Sequence, residues 1–283
     1  MNNHTKNQHY VPQFLLKNFS SKGGKFIWAF DRKEKYNIKN QIKERAIKRV
    51  ASEEYFYDQF KNSEIGSYEY ILQKAEDTSA PIIEKIIKTK KIENLTQEER
   101  MNLSFFIVLQ KLRTKGQLIQ TESFMNSFSE QMRDKAYINS PKIEHKKIWF
   151  SMLEQSTSFY EVLFNKVWML SESNNEFLIS DNPVSLQNTT DRSEIRGTLG
   201  LDSYGIEIYL PISPSLTLCL FCEKMFSKSG YHKKHIPNLQ CEPENIENFN
   251  SLQTAYSERF IFSNKNNFEL VKKQLKNTLQ HGV

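Results

Sequence analysis

Nine glycines in 283 residues leave little room for glycine-rich loops, and no GxxxxGK[ST], GxGxxG, HExxH or GxSxG pattern occurs. Phosphate-cradling loops, dinucleotide crevices, helical zinc-peptidase sites and nucleophile elbows are therefore excluded at the level of motif. Three cysteines, an odd number, make no disulfide framework and read as reduced thiols. No apolar run approaches the ~20 residues of a membrane span. The opening stretch Met1 to Asn7 lacks the apolar centre of a signal peptide. The expectation is a cytoplasmic protein with no membrane partner.

What is present is enough for a core: 38% of the residues are hydrophobic and 12% aromatic, in a length that suits a single domain. The 39 basic and 33 acidic residues leave a formal charge of +6, which permits a polyanionic partner such as nucleic acid. Between Arg32 and Arg49 eight basic residues stand against two acidic ones, so this one segment equals the surplus of the whole chain. Lys43, Arg45, Lys48 and Arg49 are its candidate phosphate contacts, with Tyr36, Tyr55, Phe56 and Tyr57 as aromatic neighbours.

Periodicity divides residues 1–283 into three subregions of one domain. Residues 1–60 read as a small α+β unit, with a helix started by Pro12 and a strand at Lys25 to Phe30. Residues 61–165 read as a helical bundle. A helix over 67–88 should be kinked or split by Pro81, and a capping box at Thr96-Gln-Glu-Glu99 opens a long helix reaching Arg133 with a bend near Gly116; a further helix spans 144–164. Residues 166–283 read as β-rich, with a hairpin over 166–181, strands at 205–210 and 216–221, helices over 244–256 and 268–279, and a short strand from Phe260. The expected fold is α+β: a central helical bundle flanked by a small antiparallel sheet that the N-terminal and C-terminal segments form together.

Candidate site residues come from polar groups at the ends of apolar elements. His9 precedes the Pro12 helix, whose free N–H groups would favour an anion or a working histidine. Asp181 and Asn182 end an apolar strand before Pro183, either as part of a site or as a simple turn. Glu207, on a neighbouring strand, could join Asp181 in holding a divalent Mg or Mn ion, with His9 as a third ligand or a proton donor, although Glu207 alone is better explained as a solvent-facing Glu on a half-buried strand. Gln110 and Arg113 share one helix face and could reach Glu76 on the preceding helix, as an ion pair or as a phosphate-binding arginine. Cys219 and Cys222, with His232, His235 and Cys241, have a superficial zinc spacing. On a strand, however, positions i and i+3 face opposite sides, which disfavours zinc.

Several of these blocks together resemble the domain-of-unknown-function 4238 family of bacterial proteins. They are QHYVPQFLLKNF from Gln8 to Phe19, Glu76, the FFIVLQKLRT block with Phe106, Gln110, Arg113 and Thr114, the FLISDNPV block from Phe177 to Val184, and Leu210 to Pro214. The resemblance spans nearly the whole chain and implies architecture and candidate positions more than chemistry. Where the family often carries a proline, this chain has Lys115-Gly116, which bears on how the helix bends.

Two readings of function follow. In the first, the protein is a metal-assisted phosphodiesterase acting on nucleic acid, as in a toxin or phage-defence effector, with His9, Glu76, Gln110, Arg113, Asp181 and Asn182 in the active site. In the second, a non-catalytic recognition protein binds nucleic acid, a nucleotide or a peptide in the same polar cleft. A purely structural partner role is a third.

Overall fold

The computed structural model describes residues 6–34, 37–57, 68–133, 145–174, 176–190, 199–226 and 234–280. The chain opens with β1 (Asn7–His9) and a short helix α1 (Gln13–Lys17) behind Pro12. The proline presets φ and has no N–H to leave unsatisfied. There follow β2 (Phe26–Asp31), α2 (Ile38–Gln41), β3 (Ile42–Ala46), a 3-10 turn (Ile47–Arg49) and β4 (Ser52–Glu54). His9 thus ends a strand, opposite Ser52 of β4.

The helical part begins with α3 (Glu69–Thr89), which buries Leu72, Ala75, Ile82, Ile83 and Ile86 along one stripe. Pro81 does not split it. The proline lies exposed, on the face where water can take up the Asp77 carbonyl left without an N–H. α4 (Gln97–Leu112) starts at the anticipated capping box, with the Thr96 hydroxyl accepting from Glu99 N and the Glu99 carboxylate from Thr96 N. Every residue from Phe106 to Leu112 is buried, so this helix is surrounded on all sides.

The single long helix expected to reach Arg133 is in fact two, because α4 stops and α5 (Lys115–Arg133) starts afresh. The break falls at Arg113 and Thr114 rather than at Gly116. Trp149 donates its indole N–H to the Leu112 carbonyl at 2.7 Å and Tyr57 its hydroxyl to the Arg113 carbonyl at 3.0 Å, so carbonyls at the end of α4 find partners outside the helix. Thr114 then caps the new helix, its hydroxyl accepting from Gln117 N at 3.2 Å. The helix expected over 144–164 is likewise divided, into α6 (His145–Glu154), a 3-10 turn (Gln155–Ser158) and α7 (Tyr160–Phe164).

The remaining elements are β5 (Val167–Glu172), β6 (Ile179–Ser180), β7 (Ser185–Asn188), β8 (Ile206–Ser213), β9 (Leu216–Phe221), β10 (Leu239–Gln240), α8 (Pro243–Tyr256), β11 (Phe260–Ser263) and α9 (Glu269–Gln280). Among the described residues the strands form three sheets: β1 with β4, a four-stranded sheet in the order β3-β2-β11-β6, and a five-stranded sheet in the order β10-β5-β9-β8-β7. The fold is α+β, but one small flanking sheet does not describe it. The four-stranded sheet does join N-terminal with C-terminal strands; the five-stranded sheet was not anticipated.

The expected hairpin over 166–181 does not form, since β5 pairs with β9 over six residues while β6 joins β11 in the other sheet. Between them Ser173 N and Phe177 N donate to the Ser215 and Pro214 carbonyls, so the β8–β9 turn captures the segment and carries it across. Pro211 is accommodated in β8 at a bulge, where a missing N–H disturbs the ladder least.

The main core is filled by α1, α3, α4 and the inner face of the five-stranded sheet, including Leu15, Phe19, Ile83, Phe106, Trp168 and Leu218. One polar intruder is Lys111 of α4, only 8% exposed, with its ammonium 5.1 Å from the centre of the Tyr256 ring. Burial pushes its pKa down to about 8. The folded state therefore releases this proton at lower pH than the unfolded chain, and stability should rise as pH climbs from 8 toward 10.5. Lys111→Met should be the more stable protein at pH 7, by as much as about 3 kcal/mol, with the gap closing by pH ~10. Urea denaturation of both proteins across this range is the measurement, and a gap that does not change with pH would refute the assignment.

Candidate functional site

Gln110 lies in the last turn of α4, Arg113 closes that helix, and Thr114 stands between it and α5. Arg113 is only 2% exposed. Its Nη1 pairs with Glu76 Oε1 of α3 at 2.6 Å, its Nη2 donates to the His9 carbonyl at 2.5 Å, and its Nε donates to the Tyr57 hydroxyl at 3.1 Å. Burial by itself would lower the guanidinium pKa, but Tyr57 and Glu76 outweigh it and hold the pKa above the ordinary arginine value. The pairing with Glu76 expected from the sequence is present. Tyr57, which sequence reading had noted only as an aromatic neighbour of the basic run, is as close a partner. No local signal marks it, because it lies beyond β4 and meets α4 only in the folded chain.

One turn earlier, Gln110 Nε2 donates to the Tyr10 carbonyl at 2.9 Å. One residue later, Thr114 Oγ1 donates to Asn182 Oδ1 at 2.9 Å. The end of α4 thus holds the main chain of residues 9 and 10 on one side and the Asn182 amide on the other. Gly116 allows the second contact, since a Cβ there would lie 2.9 Å from Asn182 Nδ2. His9 Nε2, Gln110 Oε1 and Asn182 Nδ2 are buried and find no hydrogen-bond partner among the described residues. Burial lowers the His9 pKa; a hydrogen bond with the Ile47 backbone opposes this, and the Arg113 charge adds to the lowering, so the ring is neutral at physiological pH.

Asp181, 1% exposed, serves a different purpose. Its Oδ1 accepts from Glu258 N at 2.8 Å, and its Oδ2 from Arg259 N at 2.8 Å and Phe260 N at 2.9 Å. Burial pushes its pKa up to about 6 against the opposing pull of these three amides. The carboxylate therefore shapes the turn that leads from α8 into β11. Beside it, Asp31 takes a two-point contact from Arg259, with Nε 3.1 Å from Oδ1 and Nη2 2.9 Å from Oδ2, and a further one from Arg45 at 3.3 Å. Arg45, expected at a nucleic-acid surface, is committed internally.

Glu207 is not the solvent-facing residue that one reading of its strand suggested. At 7% exposure it accepts from Gln187 Nε2 and Thr189 Oγ1, each at 2.6 Å, and from the Tyr209 hydroxyl. Asp181 follows a strand of the four-stranded sheet, Glu207 lies in the five-stranded one, and they share no donor. Every carboxylate oxygen of both already accepts a protein hydrogen bond. Among the described residues no group of three His, Cys, Asp or Glu is placed to hold a metal. Cys219 packs with Cys241 in a satellite cluster while Cys222 lies in the main core, in keeping with opposite strand faces. His232 lies outside the described residues.

Two residues that sequence reading missed position the 176–185 segment. Asn250 Oδ1 accepts from Leu178 N at 2.8 Å and its Nδ2 donates to the Glu176 carbonyl at 2.9 Å. Gln253 Oε1 accepts from Ser180 N at 2.9 Å and its Nε2 donates to the Pro183 carbonyl at 2.8 Å. Two amides at i and i+3 on the buried side of α8 were the available signal.

The family described as "Protein of unknown function (DUF4238)" matches this chain over residues 7–267, and the chain belongs to it. Neither a curated protein nor a solved structure gives a match.

Arg113→Met should lower the unfolding free energy by roughly 3 kcal/mol or more. Arg113→Lys should recover little of this, because one ammonium cannot reach Glu76, Tyr57 and the His9 carbonyl along a planar fork. A lysine variant within ~0.5 kcal/mol of the parent in urea denaturation would sink this account. Asp181→Asn sets an amide N–H against a backbone N–H, at a loss of about 1–3 kcal/mol. Hydrogen exchange at Glu258, Arg259 and Phe260 should accelerate, and unchanged protection there would mean that other contacts hold the turn.

Proposed function

We propose that the protein recognises nucleic acid along the outer edge of its four-stranded sheet, through Lys43 of β3 and through Lys48 and Arg49 of the 3-10 turn that follows. The observation carrying this reading is how the basic segment divides. Arg32 is tied to Ser257 and the Thr254 carbonyl, Lys33 to Glu258, and Arg45 to Asp31. Lys48 and Arg49 are exposed and make no ion pair among the described residues, and Lys43 Nζ meets only the neutral Asn40 side chain at 3.1 Å. β3 is an edge strand, so these cations border an open side of the sheet. Unpaired cations along such an edge match the spaced negative charges of a phosphate backbone, and the released counterions would drive a salt-sensitive, sequence-independent association.

Recognition is favoured over metal-assisted hydrolysis by the state of the carboxylates. A metal-held water needs oxygen lone pairs directed at an open position. Those of Asp181 and Glu207 are directed at backbone amides, Gln187, Thr189 and Tyr209.

The test is a mobility-shift titration with RNA, single-stranded DNA and duplex DNA at several salt concentrations. The triple variant Lys43→Glu, Lys48→Glu, Arg49→Glu should bind far more weakly at low salt, and the slope of log affinity against log salt should fall by roughly 2 to 3. Retention unchanged by the triple variant would overturn the proposal. Gel analysis of the same mixtures with Mg²⁺, Mn²⁺ or EDTA covers the other reading, since metal-dependent cleavage lost in Asp181→Ala would replace recognition with phosphodiester hydrolysis.

A further inference from the structure

A second region, outside the α4 junction and the basic edge, holds a buried amine. Lys166, between α7 and β5, is 4% exposed, yet its Nζ makes no hydrogen bond or ion pair among the described residues. It lines a cavity of about 260 Å³ together with Cys222, Asp202, Glu223, Lys224 and Glu161. The backbone at this point is held firmly, because Arg100 donates from Nη2 to the Lys166 carbonyl at 2.7 Å and from Nε to the Phe164 carbonyl at 2.9 Å. Arg100 is itself held, with its guanidinium 4.3 Å from the centre of the Trp168 ring.

We propose that Lys166 is the nucleophile of a binding site for a small, uncharged carbonyl compound, which it captures as an imine. An ammonium largely shielded from water and holding no ion pair is disfavoured, so such a lysine yields its proton readily and presents a lone pair. Burial lowers its pKa, with Cys222, Asp202 and Glu223 opposing and Lys224 adding to the effect. The amine lone pair adds to the carbonyl carbon while the C=O π electrons move to oxygen, giving a carbinolamine. Loss of water, which carries away that oxygen and both amine protons, leaves the C=N bond. The lining sets the class of ligand. Glu161, Asp202 and Glu223, the last paired with Lys234 at 3.0 Å, leave the lining no surplus of positive charge to receive a carboxylate-bearing keto acid and admit a neutral aldehyde or ketone. The volume suits a molecule of a few heavy atoms.

The experiment uses the full chain with propionaldehyde and sodium cyanoborohydride at neutral pH, followed by peptide mapping by mass spectrometry. The propyl mark should accumulate severalfold faster on Lys166 than on the median of the other lysines, because a lowered pKa raises the neutral fraction of the amine. Denaturant should abolish the preference, and Lys166→Arg should remove the mark from that peptide alone. Because the wild-type map is site-resolved, the result does not depend on how the variant folds. Lys166 marked no faster than the surface lysines, or not at all, would overturn the proposal. Pyruvate in place of propionaldehyde tests the ligand class: slower marking is expected, and equal rates would overturn the restriction to uncharged compounds.

Discussion

A guanidinium withdrawn from water is stable only where its N–H groups are met, and Arg113 meets this condition with partners from three separate stretches of chain. Glu76 comes from α3, the His9 carbonyl from the first strand, and the Tyr57 hydroxyl from the segment after β4. None is adjacent in sequence, so the charge is compensated only when all three stretches are in place. Much of the architecture follows from this. The helix carrying Arg113 ends there because Tyr57 and Trp149 claim its last carbonyls. The next residue, Thr114, both starts α5 and reaches Asn182, which ties the helices to the segment entering the five-stranded sheet.

Asp181 applies the same logic with the opposite charge. Three amides converge on a carboxylate that water barely touches, so the turn from α8 into β11 is organised around one side chain. A residue used in this way resembles a catalytic group in sequence, being a carboxylate at the end of an apolar strand. It differs in the direction of its lone pairs. Glu207 shows the same distinction inside the five-stranded sheet, where a network of Gln187, Thr189 and Tyr209 satisfies it. Lys43 of β3 and the exposed Lys48 and Arg49 of the following turn make no ion pair among the described residues. They also discourage an unpaired sheet edge from joining another chain.

Lys111 and Lys166 complete the contrast between polar groups that serve the fold and those that remain available. Both are largely buried lysines, and burial lowers the pKa of each. Lys111 sits against the Tyr256 ring in the core, whereas Lys166 lines a cavity beside a thiol and carboxylates. The difference in surroundings, not in residue type, makes one a burden on stability and the other a candidate nucleophile.

Sequence alone determined the features set by neighbours a few residues apart. The Thr96 capping box, the amphipathic stripe of α3, the start of α8 at Pro243, the strands β8 and β9, and the Gln110–Arg113 face follow from helical or strand period and from turn chemistry. The Arg113–Glu76 pair was also legible, because a fork-shaped cation on an apolar helix demands a carboxylate and the preceding helix supplied one. Only the tertiary structure decided the break at Arg113 and Thr114, the capture of 173–177 by the β8–β9 turn, the split of strands 166–181 between two sheets, and the commitment of Asp181, Glu207 and Arg45 to internal partners. Each of these rests on hydrogen bonds between residues far apart in the chain. Local pattern fixes which groups need partners, and long-range packing chooses who they are.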